Sequence, residues 1–393
     1  MRILVVGQHY WPEPMYLLTD ICEELVRRGH EVDVVTGVPN YPMGVIYDDY
    51  KRGKNRREVH NGVNIIRTFT IGRRDNVIFR LLNYYSYSFS STIYTLGLKD
   101  SYDVVFTNET SPVMMTRAAT AYSKKWGKKC ILYCMDLWPA CLAAGGMKEG
   151  NPIYRFFGYV SKKLYNRADK ILITSRMFKA YLENEHDVAE AKIEYFPQYA
   201  TDQFENIQKS PEKDGFDFVF AGNVGAAQSL NVVIEAAKIL SDENIRWHIV
   251  GDGSSLNSLK KMAEGMENVI FYGRRPFEEM PVYYAMADAM LVLLLQEPYI
   301  SLTLPGKVQT YMAAGKPIIA AADGDIPMVI EEARCGWCAK AEDVQGFAEA
   351  VRKFIQCPRK DELGSNARAY YEQHFTRRKF MDELEAMLES AKC

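Results

Sequence analysis

The sequence begins with a strand–helix–strand pattern, MRILVVGQHYWPEPMYLLTDICEELVRRGHEVDVVTG, residues 1–37. Residues 3–6 form a continuous apolar run, which is typical of a strand that is buried on both faces of a parallel sheet. The spacing of apolar residues over 19–28 predicts an amphipathic helix that ends at Gly29, and residues 31–36 predict the next strand. Strands that alternate with helices in this way predict a parallel, doubly wound α/β sheet.

The alternation continues along the chain and is interrupted once, by a polar stretch over 201–214. Further strands are predicted at 63–68, 103–107, 130–134, 170–174, 216–222, 246–251, 268–271, 289–294 and 317–320. We therefore predict two Rossmann-like parallel-sheet domains, residues 1–200 and 201–365, that face a central cleft where a ligand binds. A helical segment over 366–393, broken near Thr376, follows them and packs on either domain.

The composition excludes several classes of protein. Of the 393 residues, 48% are hydrophobic and 25% are charged, which is the balance of a globular protein and not of a disordered chain. The formal net charge of −2 gives no overall attraction to nucleic acid. Because no apolar run approaches the ~18 residues of a membrane-spanning helix, the sequence predicts a cytoplasmic protein that is at most peripheral to a membrane.

The cysteines and histidines predict neither a disulfide nor a metal site. Cys335 and Cys338 form a lone C-x-x-C pair, without the second pair that a zinc ribbon requires, in a segment over 333–339 that is predicted to be a turn into a strand. The eight cysteines are therefore predicted to be thiols, as expected in a reducing compartment. The six histidines do not have the spacing of metal ligands.

The most distinctive local pattern is LPGKVQTYMAAGKP, residues 304–317. Pro305 and Gly306 form a turn that opens a helix, and Gly315 ends that helix. The free N–H groups of a helix start suit a phosphate, and Lys307 in the first turn adds a full positive charge. An ordinary capped helix with a solvated lysine would show the same spacing.

Glycine and aspartate follow other predicted strands. The segment FAGNVGAAQSL, residues 220–230, contains two glycines that let the backbone approach a ligand closely, although a plain tight turn has the same pattern. In VGDG, residues 250–253, Asp252 either accepts hydrogen bonds from a ligand or caps the next helix. Asp136 follows the strand at 130–134, where its carboxylate either faces the cleft or caps the turn before Pro139.

A basic and aromatic region extends over 51–98. Residues 51–80 contain nine lysines or arginines against two acidic residues, and a predicted helix over 76–98 follows. Its aromatic residues include Phe79, Tyr84, Tyr85, Tyr87 and Phe89. Such a segment can bind an anionic membrane surface. A buried helix behind a solvated basic loop is the alternative.

Eight short motifs occur along the chain in an order that resembles the retaining family 4 glycosyltransferases of the GT-B fold. They are PEP (12–14), RGHEV (28–32), TGVPNYP (36–42), DLWP (136–139), PQYA (197–200), AGNVG (221–225), VGDG (250–253) and YMAAGKP (311–317). The subgroup that the chain resembles most builds bacterial O-antigen, capsule and exopolysaccharide repeats and is typified by N-acetyl-fucosaminyl transferases. The resemblance extends over nearly the whole chain.

The resemblance implies a division of roles between the two domains. A nucleotide diphosphate sugar, expected to be a UDP-sugar that carries a hexose or an N-acetyl amino sugar, would bind mainly to the second domain. The implied donor-binding residues are Gly222, Asn223, Gln228, Gly251, Asp252, Gly273, Arg274, Leu304, Pro305, Gly306 and Gln309. Lys307 would be the catalytic cation, and Asp136 would lie beside the transferred sugar or the acceptor hydroxyl. No metal and no other cofactor is implied.

The acceptor would bind mainly to the first domain, with Pro14, Met15 and Tyr16 on the acceptor side. In this subgroup the acceptor is a glycan or a sugar linked to polyprenyl diphosphate. The protein would therefore work at the inner face of the cell membrane, which residues 51–98 would contact.

The chain departs from the family pattern at three places. Gln309 and Leu302 occupy positions that are acidic in many relatives, and Gln309 can hydrogen-bond a ribose without a charge. Asn223 and Gln228 replace basic residues at the phosphate loop, so Lys307 is expected to be the main cation on the diphosphate. Residues 15–18, MYLL, replace a glycine-rich loop on the acceptor side.

Two other functions remain open from the sequence. A nucleotide-sugar 2-epimerase shares the GT-B fold and would convert the sugar nucleotide without an acceptor. A non-catalytic sugar-nucleotide-binding protein would bind the donor without transfer or hydrolysis.

Overall fold

The computed structural model describes residues 1–74, 76–144, 146–205, 207–208 and 213–392. The chain divides into two compact units: unit 1 is Met1–Phe196 with the last residues from Met381, and unit 2 is Pro197–Phe380. The sequence placed this boundary after residue 200 and treated 366–393 as one segment, whereas the structure divides that segment between the units. Of the polar stretch predicted over 201–214, residues 206 and 209–212 lie outside the described residues, as does the predicted thiol of Cys393.

Unit 1 is built on an eight-stranded sheet. Its strands are β1 (Arg2–Val6), β2 (Glu31–Thr36), β3 (Arg57–His60), β4 (Val63–Arg67), β5 (Val104–Glu109), β6 (Cys130–Cys134), β7 (Lys170–Ile173) and β8 (Ile193–Tyr195). Their order is β3-β4-β2-β1-β5-β6-β7-β8, and only β3 is antiparallel to its neighbour. In the register of the central strands, Ile3 lies between Val32 and Val104.

Helices connect these strands. They are α1 (Tyr16–Arg27), α2 (Val77–Gly97), α3 (Arg117–Trp126), α4 (Ala140–Ala144), α5 (Pro152–Tyr165) and α6 (Met177–His186). Helix α1 buries Leu18, Ile21, Cys22 and Leu25, which recur at the spacing of one helix face.

Unit 2 has a six-stranded sheet in which every pair is parallel. Its strands are β9 (Phe216–Ala221), β10 (Ile245–Val250), β11 (Val269–Gly273), β12 (Ala289–Leu293), β13 (Ile318–Ala321) and β14 (Gly336–Ala339), in the order β11-β10-β9-β12-β13-β14. The helices that follow β9 are α7 (Asn231–Ile239), α8 (Leu256–Met262), α9 (Met280–Met286), α10 (Lys307–Ala313), α11 (Asp325–Ala333), α12 (Val344–Gln356), α13 (Lys360–His374) and α14 (Arg377–Ser390). From Met381 onward, α14 belongs to unit 1. Apolar cores lie on both faces of the sheet.

Each unit confirms the predicted doubly wound α/β fold. The break near Thr376 is also observed, because α13 ends at His374 and α14 begins at Arg377. Strands β3 and β8 were not predicted. Both are short edge strands without a fully buried residue, so they lack the apolar run that marks the central strands.

Candidate functional site

In unit 2, glycines stand at the carboxyl ends of three neighbouring strands, where an open parallel sheet binds ligands. Gly222 after β9, Gly251 after β10 and Gly273 at the end of β11 have φ values of 149°, 139° and 69°. The Gly222 N–H donates to the Val250 carbonyl at 2.9 Å. A Cβ on Gly251 would come within 1.8 Å of the Gly222 carbonyl oxygen, so only glycine fits there.

Two of the residues predicted to lie by the diphosphate are in direct contact. Lys307 Nζ donates to Gln228 Oε1 at 2.5 Å and lies 4.1 Å from the centroid of the Phe220 ring. A Cβ on Gly222 would be 3.2 Å from the same Nζ, so this glycine also lies against the lysine. Burial lowers the pKa of Lys307 to about 7. Lys307, the amide of Gln228 and the exposed backbone of Gly222 therefore lie together at the carboxyl ends of the strands.

Helix α10 is shorter than predicted, since it begins at Lys307 and has seven residues. Gly306, just before it, packs against the side-chain amide of Gln198, where a Cβ would lie 2.7 Å from Nε2. Pro305 is partly exposed and continues this loop. The loop brings Pro305, Gly306 and Lys307 to the same edge as the Gly222 loop, because Lys307 reaches Gln228 from it.

Gln309 and Leu304 are not where the predicted roles require them. Gln309 is fully buried, and its amide, oriented to complete its hydrogen bonds, donates to the carbonyls of Pro305 and Gly306. Its side chain is therefore not available to a ribose, and it fixes the loop before α10 instead. Leu304 belongs to the apolar core of unit 2.

Asn223, Asp252 and Arg274 are exposed at the ends of β9, β10 and β11. Asp252 Oδ1 accepts from its neighbour, the Gly253 N–H, at 2.7 Å, and Asp252 does not cap the next helix, whose N-cap residue is Ser255. The Val224 N–H donates to the Asp252 carbonyl at 3.0 Å and ties the first two loops together.

In unit 1, Asp136 lies in the loop after β6 and is partly buried. Burial raises the pKa of Asp136 to about 7, although hydrogen bonds from the Leu137 N–H and from Ser111 favour the charged form. The carboxyl group therefore titrates near neutral pH, which is unusual for aspartate and is typical of functional sites.

A second carboxyl group that the sequence analysis missed lies beside it. Glu109, at the end of β5, is fully buried and accepts hydrogen bonds from Cys134 Sγ at 3.1 Å and from the Tyr165 hydroxyl at 3.3 Å. Burial, and then the charge of Asp136, hold the pKa of Glu109 well above its usual range. Its place two residues beyond the predicted strand at 103–107 was the one local signal, although its contacts with Cys134 and Tyr165 could not be read from the sequence.

Glu13 was also missed, and it organises the predicted acceptor side. Its carboxylate accepts from His9 Nδ1 at 2.7 Å and from the backbone N–H groups of Asn40 and Tyr41 at 2.6 and 2.8 Å. Glu13 is buried, while its neighbour Pro14 and the first residue of α1, Tyr16, are exposed. Met15 is partly exposed between them. The motif at 12–14 therefore contains a buried, hydrogen-bonded glutamate, Glu13, next to an exposed proline, Pro14.

Among the residues that the structure describes, no group of three or more histidine, cysteine or acidic side chains could hold a metal ion. The seven cysteines in the described ranges, Cys335 and Cys338 among them, are free thiols.

Helix α2 has an unusual orientation. Its buried side chains are mostly small and polar, whereas Ile78, Phe89 and Ile93 are 68%, 59% and 63% exposed. The hydroxyls of Ser91 and Thr92 donate to backbone carbonyls one turn earlier, both at 2.6 Å. Because these polar groups are hydrogen-bonded within the helix, α2 can bury its polar face against the protein. Of the described helices, none is long and apolar enough to cross a bilayer.

Two arginines lie against aromatic rings of α2. Arg74 lies 4.2 Å from the Phe79 ring centroid and Arg117 lies 5.5 Å from that of Phe89. Tyr87 corrects one prediction, because it is fully buried and its hydroxyl donates to the Val35 carbonyl. It therefore cannot belong to an interfacial aromatic face.

Two family models match separate parts of the chain. A family model described as Glycosyltransferase Family 4 matches residues 16–198, and one described as Glycosyl transferases group 1 matches residues 215–357. The putative colanic acid biosynthesis glycosyl transferase WcaI of Escherichia coli K12 is 24% identical over 95% of this chain and 96% of its own length. The probable glycosyltransferase WbjE of Pseudomonas aeruginosa is 26% identical over 70% of this chain and 71% of its own.

Solved structures show the same fold. Anabaena HepE, determined in complex with UDP, superimposes with a TM-score of 0.72 at 15% identity and covers 99% of this chain and all of its own. This likeness supports the GT-B architecture predicted from the motifs.

Proposed function

We propose that this chain is a retaining glycosyltransferase of bacterial surface polysaccharide synthesis, because models of Glycosyltransferase Family 4 and of Glycosyl transferases group 1 match its two parts. It transfers a sugar, a hexose or an N-acetyl amino sugar, from UDP to a glycan or a sugar linked to polyprenyl diphosphate. The likeness to WcaI supports the polysaccharide assignment, and the UDP complex of HepE supports the donor. The observation that carries the proposal is the Lys307–Gln228 contact beside Gly222.

The diphosphate binds at this contact. Burial lowers the pKa of Lys307 to about 7, and its amine lies against a neutral amide oxygen, Gln228 Oε1, and the ring of Phe220. A diphosphate supplies the missing negative charge and restores the protonated amine. As the bond from the sugar to the β-phosphate breaks, negative charge develops on the phosphate, and Lys307 and the glycine backbone stabilise it electrostatically without a metal.

Retention follows from attack on the face that the leaving group occupies. The acceptor oxygen forms the new bond to the anomeric carbon while the bond to the β-phosphate oxygen breaks, and the leaving phosphate takes the acceptor proton. Asp136 orients the acceptor hydroxyl and does not form a covalent intermediate.

The protein binds its acceptor at a membrane surface. The exposed apolar face of α2 and the arginines beside it combine the two attractions that hold peripheral proteins on anionic lipid. Each arginine near such a surface contributes about 1 kcal/mol, so binding is reversible and weakens as salt is added. We accordingly propose that the protein works at the cytoplasmic face of the cell membrane.

A panel of nucleotides and nucleotide sugars tests the proposal. UDP and UDP-sugars should raise the melting temperature, since a ligand at 100 times its Kd adds about 2.7 kcal/mol to the free energy of unfolding. Release of UDP should then require an acceptor or occur slowly by hydrolysis. Conversion of the donor sugar without UDP release would identify an epimerase, and binding without any turnover would identify a non-catalytic protein.

A further inference from the structure

Glu342 lies between β14 and α12 in a backbone conformation that is costly for a residue with a side chain. Its φ is 62°, in the left-handed region where the Cβ crowds the backbone and glycine is favoured. Such strain persists only where contacts offset it, and it is concentrated at functional sites. The contacts of the Glu342 side chain should therefore show which interactions offset this strain.

The two carboxylate oxygens of Glu342 bind two different loops. Oε1 accepts from the Ser229 hydroxyl at 3.2 Å, a hydrogen that Ser229 shares with Asn231 Oδ1 at the same distance, and Oε2 accepts from the backbone N–H of Gln296 at 3.0 Å. Ser229 is itself in the left-handed region, with φ 41°, and it is buried. Hydrogen bonds to an ionised acceptor are stronger than those between neutral groups.

The first loop carries a residue of the proposed diphosphate site, and the second is connected to that site through the segment that precedes α10. The loop after β9 carries Gln228, the residue before Ser229, and the loop after β12 leads to α10, which starts with Lys307. The loops are also joined by a hydrogen bond from the Leu295 N–H to the Ala227 carbonyl at 2.9 Å. Glu342 is not part of the Lys307–Gln228 contact, but its hydrogen bonds join the two loops that lead to it.

A role in stabilising α12 does not account for these contacts. The N-terminus of α12 is capped by Asp343, whose Oδ1 accepts from the Gly346 N–H at 2.9 Å. Glu342 directs its oxygens away from that helix, to Ser229 and Gln296.

We propose that Glu342 is a positioning residue, which bridges the loops after β9 and β12 and so holds Gln228 and Lys307 at the spacing that a nucleotide diphosphate requires. This inference rests on the proposed function for its ligand, whereas the bridge itself does not depend on it. Ser229 is the second part of the same bridge.

Hydrogen–deuterium exchange of the ligand-free protein tests the bridge. In Glu342→Ala and Glu342→Gly, backbone amides over 225–230 and 295–301 should exchange faster, and in Ser229→Ala only those over 225–230 should. Arg334→Gly is the matched control, because Arg334 is an exposed residue with φ 50° and lies outside both loops. Unchanged exchange of the two loops in both Glu342 variants would overturn the bridge.

UDP binding, measured by calorimetry, tests the positioning role. Both Glu342 variants should bind UDP about tenfold more weakly, a change of about 1.4 kcal/mol. Glu342→Gln, which keeps one acceptor oxygen, should restore part of the affinity. The melting temperature of Glu342→Gly should not fall, because glycine relieves the left-handed strain, and this separates positioning from general stability.

The outcomes distinguish this inference from the proposed function. If the loops loosen but the variants bind UDP as tightly as the wild type, Glu342 is not a positioning residue. If the wild-type protein binds none of UDP, GDP and TDP, the proposed donor site fails and its positioning role with it, while the exchange measurement still decides whether the bridge exists.

Discussion

At the scale of single residues, Lys307 is the group on which donor binding depends most. Replacing it with alanine removes a charge-assisted hydrogen bond, so UDP binding should weaken by about 1.5–3 kcal/mol. Calorimetric titration with UDP measures this loss. Lys340→Ala, at an exposed lysine of the same unit, is the control. Unchanged affinity in Lys307→Ala would remove this lysine from the site.

The same lysine predicts a pH dependence. Because the pKa of Lys307 is lowered to about 7 in the free protein, the amine is largely neutral above that pH and must take up a proton when a diphosphate binds. UDP affinity should therefore fall as the pH rises above about 7. Titrations in buffers of different ionisation enthalpy should show this proton uptake in the wild type and not in Lys307→Ala.

The raised pKa of Asp136 predicts that the transfer rate depends on pH in the opposite direction to UDP affinity. With its pKa raised to about 7, the carboxyl group is protonated below that pH, so the transfer rate should fall as the pH falls through about 7. Asp136→Asn should reduce kcat at least tenfold without weakening UDP binding. A variant with near-normal turnover would make Asp136 a structural cap of its loop.

The raised pKa of Asp136 also makes the free energy of unfolding depend on pH. Between the ordinary pKa of aspartate, 3.8, and about 7, the folded chain holds a proton that the unfolded chain has released. The contribution of Asp136 to the free energy of unfolding therefore decreases as the pH rises through that window. Asp136→Asn removes this cost, so at pH 8 it should be at least as stable as the wild type while being less active.

At the scale of elements, α2 shows where sequence patterns mislead. Its apolar residues suggest the face that packs on the protein, yet the structure buries Asn83, Ser88 and Ser91 and exposes Ile78 and Phe89. The helix can do so because its hydroxyls bond to its own backbone, which hydrophobic periodicity does not register. The sequence did predict the extent of the helix, 76–98, against the observed Val77–Gly97.

This exposed face predicts the outcome of a lipid-binding experiment. Replacing Phe89 and Ile93 with serine removes exposed apolar surface, so binding to anionic vesicles should weaken at least tenfold, or about 1.4 kcal/mol. The melting temperature should not change, because neither side chain is buried. Val282→Ser, at a 67% exposed residue of α9, is the control. Vesicle binding that survives both the double substitution and high salt would contradict the proposed surface.

At the scale of the whole molecule, the elements with long apolar runs could be predicted, and so could the glycines that end them. Gly222 and Gly251 could be located at strand ends because strand ends are visible in the sequence, whereas the contact of Lys307 with Gln228 is visible only in the structure. Glu109 and Glu342 were not predicted as partners of the site. Their roles depend on contacts with residues that are 25 and 113 positions away, and local spacing carries no information about those.

The return of the chain's last residues to unit 1 leads to the final prediction. Met381, Leu384 and Leu388 on α14 are buried, and Arg28 binds Glu385 and Asp382 at 2.7 and 2.8 Å. Burying each of these apolar side chains contributes about 1.5–3 kcal/mol, which is a large part of the 5–15 kcal/mol that stabilises a typical domain.

Deleting residues 381–393 should therefore lower the melting temperature of unit 1, because its α14 contacts are lost, and leave unit 2 intact. Calorimetry should show one transition shifted down, and UDP should still raise the temperature of the other. Glu385→Gln, which removes a charge but no apolar surface, should have a much smaller effect, since partly exposed ion pairs contribute about 1 kcal/mol or less. Loss of UDP stabilisation in the deletion variant, or an unchanged first transition, would show that the two units do not divide at Phe196 and Met381 in solution.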